Sequence, residues 1–294
     1  MDCSSLSRDY VTVETQGYRG YVRKDYSDEL LGMLIQNAAG KFLGLRIPAG
    51  NALQPESASP KGGHGLGATP PGAAVHLELI PRLSAGRGEV RHVQYSGGTA
   101  VLRQGLRGGM MRWLRDRYLF YPRMLSEFVA LLLARERGLP VPQPLGVLWR
   151  RRGIICRGWL ATAWIEGEDL DVCLGTAREH DATLRQCGAV IRQMHDAGLY
   201  HADLQVKNIR ISPEGPILMD FDGAKFRKQL SMLARARNLL RFRRSLEKNG
   251  LSLHYFRPLC EGYGEVRLPS WLQLLYTVKG RVSDQLSGRK SIHD

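Results

Sequence analysis

The chain has little that would carry it through a membrane or staple it covalently. Its apolar runs, such as Val129–Ala134, fall far short of the roughly 20 residues a spanning helix needs. Met1–Tyr10 has no apolar stretch of the kind a secretion signal requires, so none is expected. The five cysteines (Cys3, Cys156, Cys173, Cys187, Cys260) are odd in number, and no C-x-x-C pair occurs. That spacing excludes a disulfide framework and a cysteine metal site, and reduced thiols are expected. No zinc finger or aromatic RNA-binding pattern appears, so nucleic acid is not an expected partner. No internal repeat is evident.

Acidic charge is also scarce: 28 Asp and Glu against 42 Lys and Arg, a net +14 in 294 residues. Its distribution is uneven. Residues 81–160 carry 15 basic and 4 acidic groups, and residues 223–294 carry 15 and 5. Between them, residues 161–222 carry 5 and 11. Two basic blocks flanking an acidic one would attract polyanions: a nucleotide, an anionic substrate or an anionic membrane surface.

What the acidic block contains is specific. Residues 199–222 read Leu-Tyr-His-Ala-Asp-Leu-Gln-Val-Lys-Asn-Ile-Arg-Ile-Ser-Pro-Glu-Gly-Pro-Ile-Leu-Met-Asp-Phe-Asp. His201, Asp203 and Asn208 have the H-x-D-x-x-x-x-N spacing of a kinase catalytic loop, and Asp220-Phe221 follows a short hairpin. In that arrangement Asp203 takes the proton of an attacking hydroxyl. Asn208 and Asp220 hold Mg²⁺ on the phosphates of ATP. The flanks agree. Leu184, Val190, Ile191 and Met194 repeat at helical spacing, and Gly198 stops that helix. Ile209–Ile211 and Ile217–Met219 read as strands around the turn residues Pro213, Glu214 and Gly215.

Upstream, the order of elements is that of a kinase N-lobe. Three strands are expected over 75–80, 93–95 and 99–103, then a helix from about Arg123 to Arg137 ended by Gly138. Two more strands follow, about 144–149 and 154–164. Gly86 and Gly88 stand where a phosphate-covering loop would be. Arg103 occupies the place of the ATP-binding lysine and can grip phosphate through two donors. Glu127 is its expected partner. Trp164–Gly167 reads as the hinge that meets adenine. The fold class expected is α+β: a bilobal kinase-like fold with an antiparallel N-lobe sheet, one N-lobe helix and a mainly helical C-lobe. The N-lobe is set at 76–165 and the C-lobe at 166–294. Residues 1–75 are set aside as a variable segment with a Gly/Pro-rich insertion over 48–74.

Several stretches carry a narrower resemblance. They are Gly86-Arg-Gly88, Val101-Leu-Arg103 with Arg107-Gly-Gly109, Asp116-Arg-Tyr-Leu-Phe120, and Glu127 with Gly138-Leu-Pro-Val-Pro142. Tyr200-His-Ala-Asp-Leu204 with Asn208 and Asp220-Phe-Asp222 form the centre, and Asn238-Leu-Leu-Arg-Phe-x-Arg-Ser-Leu-x-Lys248 closes it. Over roughly residues 80–250 the chain resembles the lipopolysaccharide Kdo kinases (Kdo is 3-deoxy-D-manno-octulosonic acid). The resemblance implies an enzyme that uses ATP and Mg²⁺ to phosphorylate a hydroxyl of Kdo on lipid A. It further implies a peripheral protein on the cytoplasmic side of the inner membrane. Gln205-Val-Lys207 departs from the Asn-Ala-His expected there. Core heptose kinases share the same catalytic skeleton and are the alternative acceptor class. A pseudokinase keeping the fold is a third reading, supported by the missing ATP lysine.

A glycolipid acceptor fits better than a protein one. No activation segment or A-P-E motif follows Asp222. The chain runs instead into a basic, helix-like segment, Lys225–Lys248, with 9 basic residues and 1 acidic one. Serine/threonine kinases place a lysine two residues after the catalytic aspartate, and here that residue is Gln205. Lys207, at the offset where tyrosine kinases carry arginine, is the candidate to reach the transferring phosphate. Arg107, Arg112, Arg115, Arg117, Arg241, Arg243 and Arg244 are candidates to hold the anionic glycolipid. Leu239, Leu240, Phe242 and Trp113, lying among these arginines, are expected to dock on the bilayer.

Overall fold

A computed structural model describes residues 6–15, 17–39, 90–105, 118–119, 122–176 and 180–264. After a single-turn helix α1 (Leu6–Asp9), strands β1 (Tyr10–Thr15) and β2 (Tyr18–Arg23) form a hairpin, and helix α2 (Ser27–Ala39) follows. Next come β3 (Val90–Tyr95), β4 (Gly98–Gln104), β5 (Tyr118–Leu119), helix α3 (Arg123–Glu136), β6 (Pro144–Arg152) and β7 (Ile155–Ala163). These strands make one antiparallel sheet in the order β1-β2-β6-β7-β4-β3, with β5 on β7.

Strand alternation gives this sheet two apolar faces. Ala100, Leu102, Leu148, Trp159 and Ala161 pack with Leu30, Met33 and Leu34 of α2. Val147 and Leu160 point the other way, into the cluster of Phe128 and Leu131 from α3. The sheet is therefore covered by a helix on each side. Helix α3 ends as expected: Gly138 takes φ 69° and Leu139 N–H donates to Ala134 O at 3.0 Å.

The N-terminal boundary differs from the sequence reading. The lobe does not begin at 76, because β2 pairs with β6 from Tyr18↔Arg150 to Val22↔Gly146. Strand alternation in Tyr18–Arg23, with Tyr18, Gly20 and Val22 buried, joins β2 to the sheet, and β1 pairs along β2 from Tyr10↔Arg23 to Thr15↔Tyr18. Gly20 makes the approach possible, since a Cβ there would lie 2.2 Å from Val147 O. The expected strand at 75–80 and the insertion over 48–74 lie outside the described residues.

The second lobe holds β8 (Glu168–Asp169), α4 (Leu170–Leu174), α5 (Asp181–Asp196), β9 (Leu199–Tyr200), β10 (Ile209–Ser212) and β11 (Gly215–Leu218). It closes with β12 (Lys225–Phe226), α6 (Met232–Lys248) and α7 (Phe256–Tyr263). Leu184, Cys187, Ile191 and Met194 of α5 are wholly buried. Helix α7 lies directly on α5 through two glycines. A Cβ at Gly188 would meet Leu259 O at 2.0 Å, and one at Gly262 would meet Arg185 O at 1.9 Å.

Two expectations for the basic segment are corrected. The helix starts at Met232, capped by Ser231, because Lys225 and Phe226 pair instead with Tyr200 and Leu199. Leu239, Leu240 and Phe242 do not face outward. They are at most 2% exposed, in apolar clusters of the lobe, so they cannot enter a bilayer. Among the described residues no helix is long and apolar enough to cross a membrane, and no cysteine forms a disulfide.

Candidate active site

The loop between β9 and β10 is held from inside by His201, which is fully buried. Its Nδ1 accepts the Asp203 N–H at 3.1 Å, and its Nε2 lies 2.9 Å from Met219 O. Both bonds together require the neutral Nε2–H tautomer. Burial favours this by pulling the imidazole below its ordinary pKa. One side chain thus ties the loop to the residue preceding Asp220. Asn208 adds a second tie, donating from Nδ2 to Asp203 O at 2.7 Å and leaving Oδ1 as its remaining acceptor.

Asp220 sits at φ 59°, the one non-glycine residue with positive φ among those described. Such a conformation costs energy and is found where the surroundings impose it. Phe221, 1% exposed, packs against the His201 ring at 5.2 Å and anchors the turn. The Asp220 carboxylate, about two-fifths exposed, is left facing the space between the lobes, where Arg103 Nη1 lies 3.7 Å from its Oδ1.

Arg103 arrives from β4, on the sheet face opposite Ala100 and Leu102. It forms the expected ion pair with Glu127 of α3, whose carboxylate is buried. Burial lowers the Arg103 pKa and Asp220 opposes the shift, but a guanidinium remains charged throughout. The sequence reading missed a companion pair: Arg123, in the first turn of α3, is bound to Asp222.

Helix α6 runs along the catalytic loop. Asn238 Oδ1 accepts His201 N–H at 3.2 Å and its Nδ2 donates to His201 O at 2.8 Å. Arg241 Nη1 lies 3.3 Å from Asp203 Oδ1. Ser245 Oγ accepts Val206 N–H at 3.0 Å. Positions 238, 241 and 245 are spaced as one helical stripe; of the three, the sequence reading had given a role only to Arg241, as a candidate to hold the glycolipid.

At the expected hinge, the Trp164 indole has the His92 ring 4.3 Å away and the Arg210 guanidinium 4.5 Å away. Arg210 also reaches Asp169 at 3.3 Å and Gly167 O at 2.7 Å. Lys207 is exposed. Arg244 is half-buried on α6. Gly86, Gly88, Arg107, Arg112, Arg115 and Arg117 lie outside the described residues.

This arrangement brings together a carboxylate, an amide and a second carboxylate, with the Arg103–Glu127 ion pair beside the second. A profile of the lipopolysaccharide kinase (Kdo/WaaP) family matches residues 80–263, which span the whole arrangement. The chain belongs to this family. As a member of the lipopolysaccharide kinase family it is a phosphotransferase acting on a hydroxyl, with the bilobal α+β fold read from the sequence. A 3-deoxy-D-manno-octulosonic acid kinase of Xylella fastidiosa (strain M12) is 39% identical over 176 residues, 57% of this chain and 70% of the relative. One of Stenotrophomonas maltophilia (strain R551-3) is 35% identical over 169 residues, 55% of this chain and 68% of the relative. A solved structure, WaaP in complex with acyl carrier protein, aligns with a TM-score of 0.48 at 15% identity, covering 71% of this chain and 89% of that one.

The donors fit Mg²⁺. Among the described residues no group of three or more His, Cys, Asp or Glu side chains could cage a metal. Mg²⁺ needs no such cage, since it binds through one or two carboxylates together with substrate phosphates. Asp220 and the Asn208 Oδ1 supply that kind of set.

Proposed function

We propose that the protein is an ATP- and Mg²⁺-dependent kinase that phosphorylates a hydroxyl of Kdo on lipid A. The observation that carries this reading is the set of ties joining His201, Asp203 and Asn208, with His201 also bound to Met219 beside Asp220. Together with the Arg103–Glu127 pair, it offers a base, donors for a metal and a cation for the phosphates. The names of the curated relatives support Kdo as the acceptor.

Asn208 and Asp220 would hold Mg²⁺, which when bound offsets charge on the nucleotide phosphates. Arg103, held by Glu127, grips the non-transferred phosphates. Asp203 orients the acceptor hydroxyl and takes its proton late, as the new P–O bond forms and the bond to ADP breaks. Little covalent chemistry falls to the protein, so positioning and electrostatics supply most of the rate.

The test is transfer from labelled ATP to purified Kdo-lipid A, with heptosylated core as the competing acceptor. Transfer to Kdo is expected. Transfer to heptose alone would reassign the acceptor. Asp203→Asn should lower transfer by about 10²–10⁴ with nucleotide binding nearly unchanged, and wild-type turnover in that variant would remove Asp203 from the mechanism.

The same reading puts the protein peripherally on the cytoplasmic side of the inner membrane, where its acceptor would lie. With Leu239, Leu240 and Phe242 buried, charge alone would attach this helix, at roughly 1 kcal/mol per Lys or Arg near an anionic surface. Sedimentation with anionic liposomes should therefore fall steeply with salt. Binding indifferent to salt and lipid charge would reject electrostatic attachment.

A further inference from the structure

We propose that Arg241 is the cation of the catalytic loop. From helix α6 it holds the Asp203 carboxylate in line, replacing the loop lysine that serine/threonine kinases carry two residues after their catalytic aspartate. The proposal rests on the phosphotransfer reading above and adds a positioning residue to it.

The loop supplies no such charge at the lysine's position. The residue two after Asp203 is the neutral Gln205. Lys207, two residues further on, is exposed. The guanidinium that does meet Asp203 comes from 38 residues further along the chain, with Arg241 Nη1 3.3 Å from Oδ1.

Its position is imposed rather than incidental. One turn before Arg241, Asn238 is bonded to both backbone groups of His201, and one turn after it Ser245 is bonded to Val206 N–H. A helix fixed to the loop on both sides of the arginine places that side chain with little freedom, which is how a supporting group is held for catalysis. The two partners are 39% and 47% exposed. A pair so open to water adds little to folding, so stability does not explain its placement.

In the transfer step the acceptor oxygen bonds to the γ-phosphorus, the bond from that phosphorus to the bridging oxygen breaks, and the electron pair leaves with ADP. The hydroxyl proton passes to Asp203. Arg241 keeps the receiving carboxylate aimed at the hydroxyl and places positive charge beside the transferring group.

Arg241→Ala, Arg241→Lys and the double variant Arg241→Ala with Gln205→Lys test this, with transfer to Kdo-lipid A and acceptor-independent ATP hydrolysis as readouts. Arg241→Ala should lower kcat of both reactions by roughly 10- to 100-fold, with KM for ATP little changed. Arg241→Lys should keep more activity. Placing a lysine at 205 should restore part of what Arg241→Ala loses, which a purely structural defect would not permit. A variant with normal ATP hydrolysis and a raised KM for the glycolipid would make Arg241 an acceptor ligand and overturn the proposal. No recovery from Gln205→Lys in a double variant with unchanged Tm would also overturn it. Wild-type protein that turns over no ATP rejects the underlying reading of the site. An active wild type with an indifferent Arg241→Ala rejects this proposal alone.

Discussion

Arg123, in the first turn of helix α3, is ion-paired with Asp222, the last residue of the Asp-Phe-Asp turn. The same helix carries Glu127, the partner of Arg103. Helix α3 is therefore joined to the Asp220–Asp222 turn at one point and to Arg103 at another. Both partners are partly open to water, so the expected coupling energy is modest, on the order of 1 kcal/mol. A double-mutant cycle on kcat/KM with Arg123→Ala, Asp222→Ala and the pair should show it. Strictly additive losses would mean that the helix and the turn act independently.

If Asp220 holds Mg²⁺ as proposed, Asp220→Ala should remove most activity. Calorimetric titration with ATP, with and without Mg²⁺, separates this from a folding defect. The variant should lose the Mg²⁺-dependent part of its nucleotide affinity. Asp222→Ala should retain that part, because its carboxylate is engaged by Arg123.

Arg103→Ala should raise KM for ATP and leave Glu127 buried without its cation. Removing one partner of such a pair costs several kcal/mol, so Tm should fall as well. Arg103→Lys preserves the charge and should recover part of both. If both substitutions prove silent in the assay and in the melt, the phosphate cation lies elsewhere.

Histidine 195 gives the fold a pH limit. Burial pushes its pKa down to about 4, although Asn238 bonds its Nε2 at 3.1 Å. The unfolded chain, with an ordinary histidine near 6.5, binds the proton first as pH falls. Stability from this group is thus complete above about pH 6.5 and is lost progressively toward pH 4. The loss amounts to roughly 3 kcal/mol at the lower end. Urea melts between pH 7 and 4 should show this slope, and His195→Gln should flatten it. An equal slope in both proteins would assign the acid sensitivity to other groups.

Much of the site was legible because its parts lie close together along the chain. His201, Asp203, Asn208 and Asp220 fall within one loop and one hairpin, where spacing alone fixes geometry. Arg103 and Glu127 were legible from the order of strand and helix. The tie between Arg123 and Asp222, 99 residues apart, has no local signature. Helix α6 shows a different limit. Its apolar stripe was visible, but periodicity says only that one face is covered, not by what. Leu239 and Phe242 are covered by the protein itself. The Tyr10–Arg23 hairpin was passed over because its alternation acquires meaning only beside β6.

That hairpin has a consequence for how the chain is made. Tyr10 donates its hydroxyl proton to Pro144 O at 2.6 Å, across 134 residues. At about 5–20 residues per second, strand β6 leaves the ribosome roughly 6–25 seconds after the strands it must join. Through that interval Val22 and Leu34, both wholly buried in the finished sheet, have no partner for one of their sides. Pairings at such sequence separation form slowly even once the whole chain is available. A nascent chain arrested before residue 144 should therefore be cut readily by protease within residues 10–39, and one arrested after residue 163 should not.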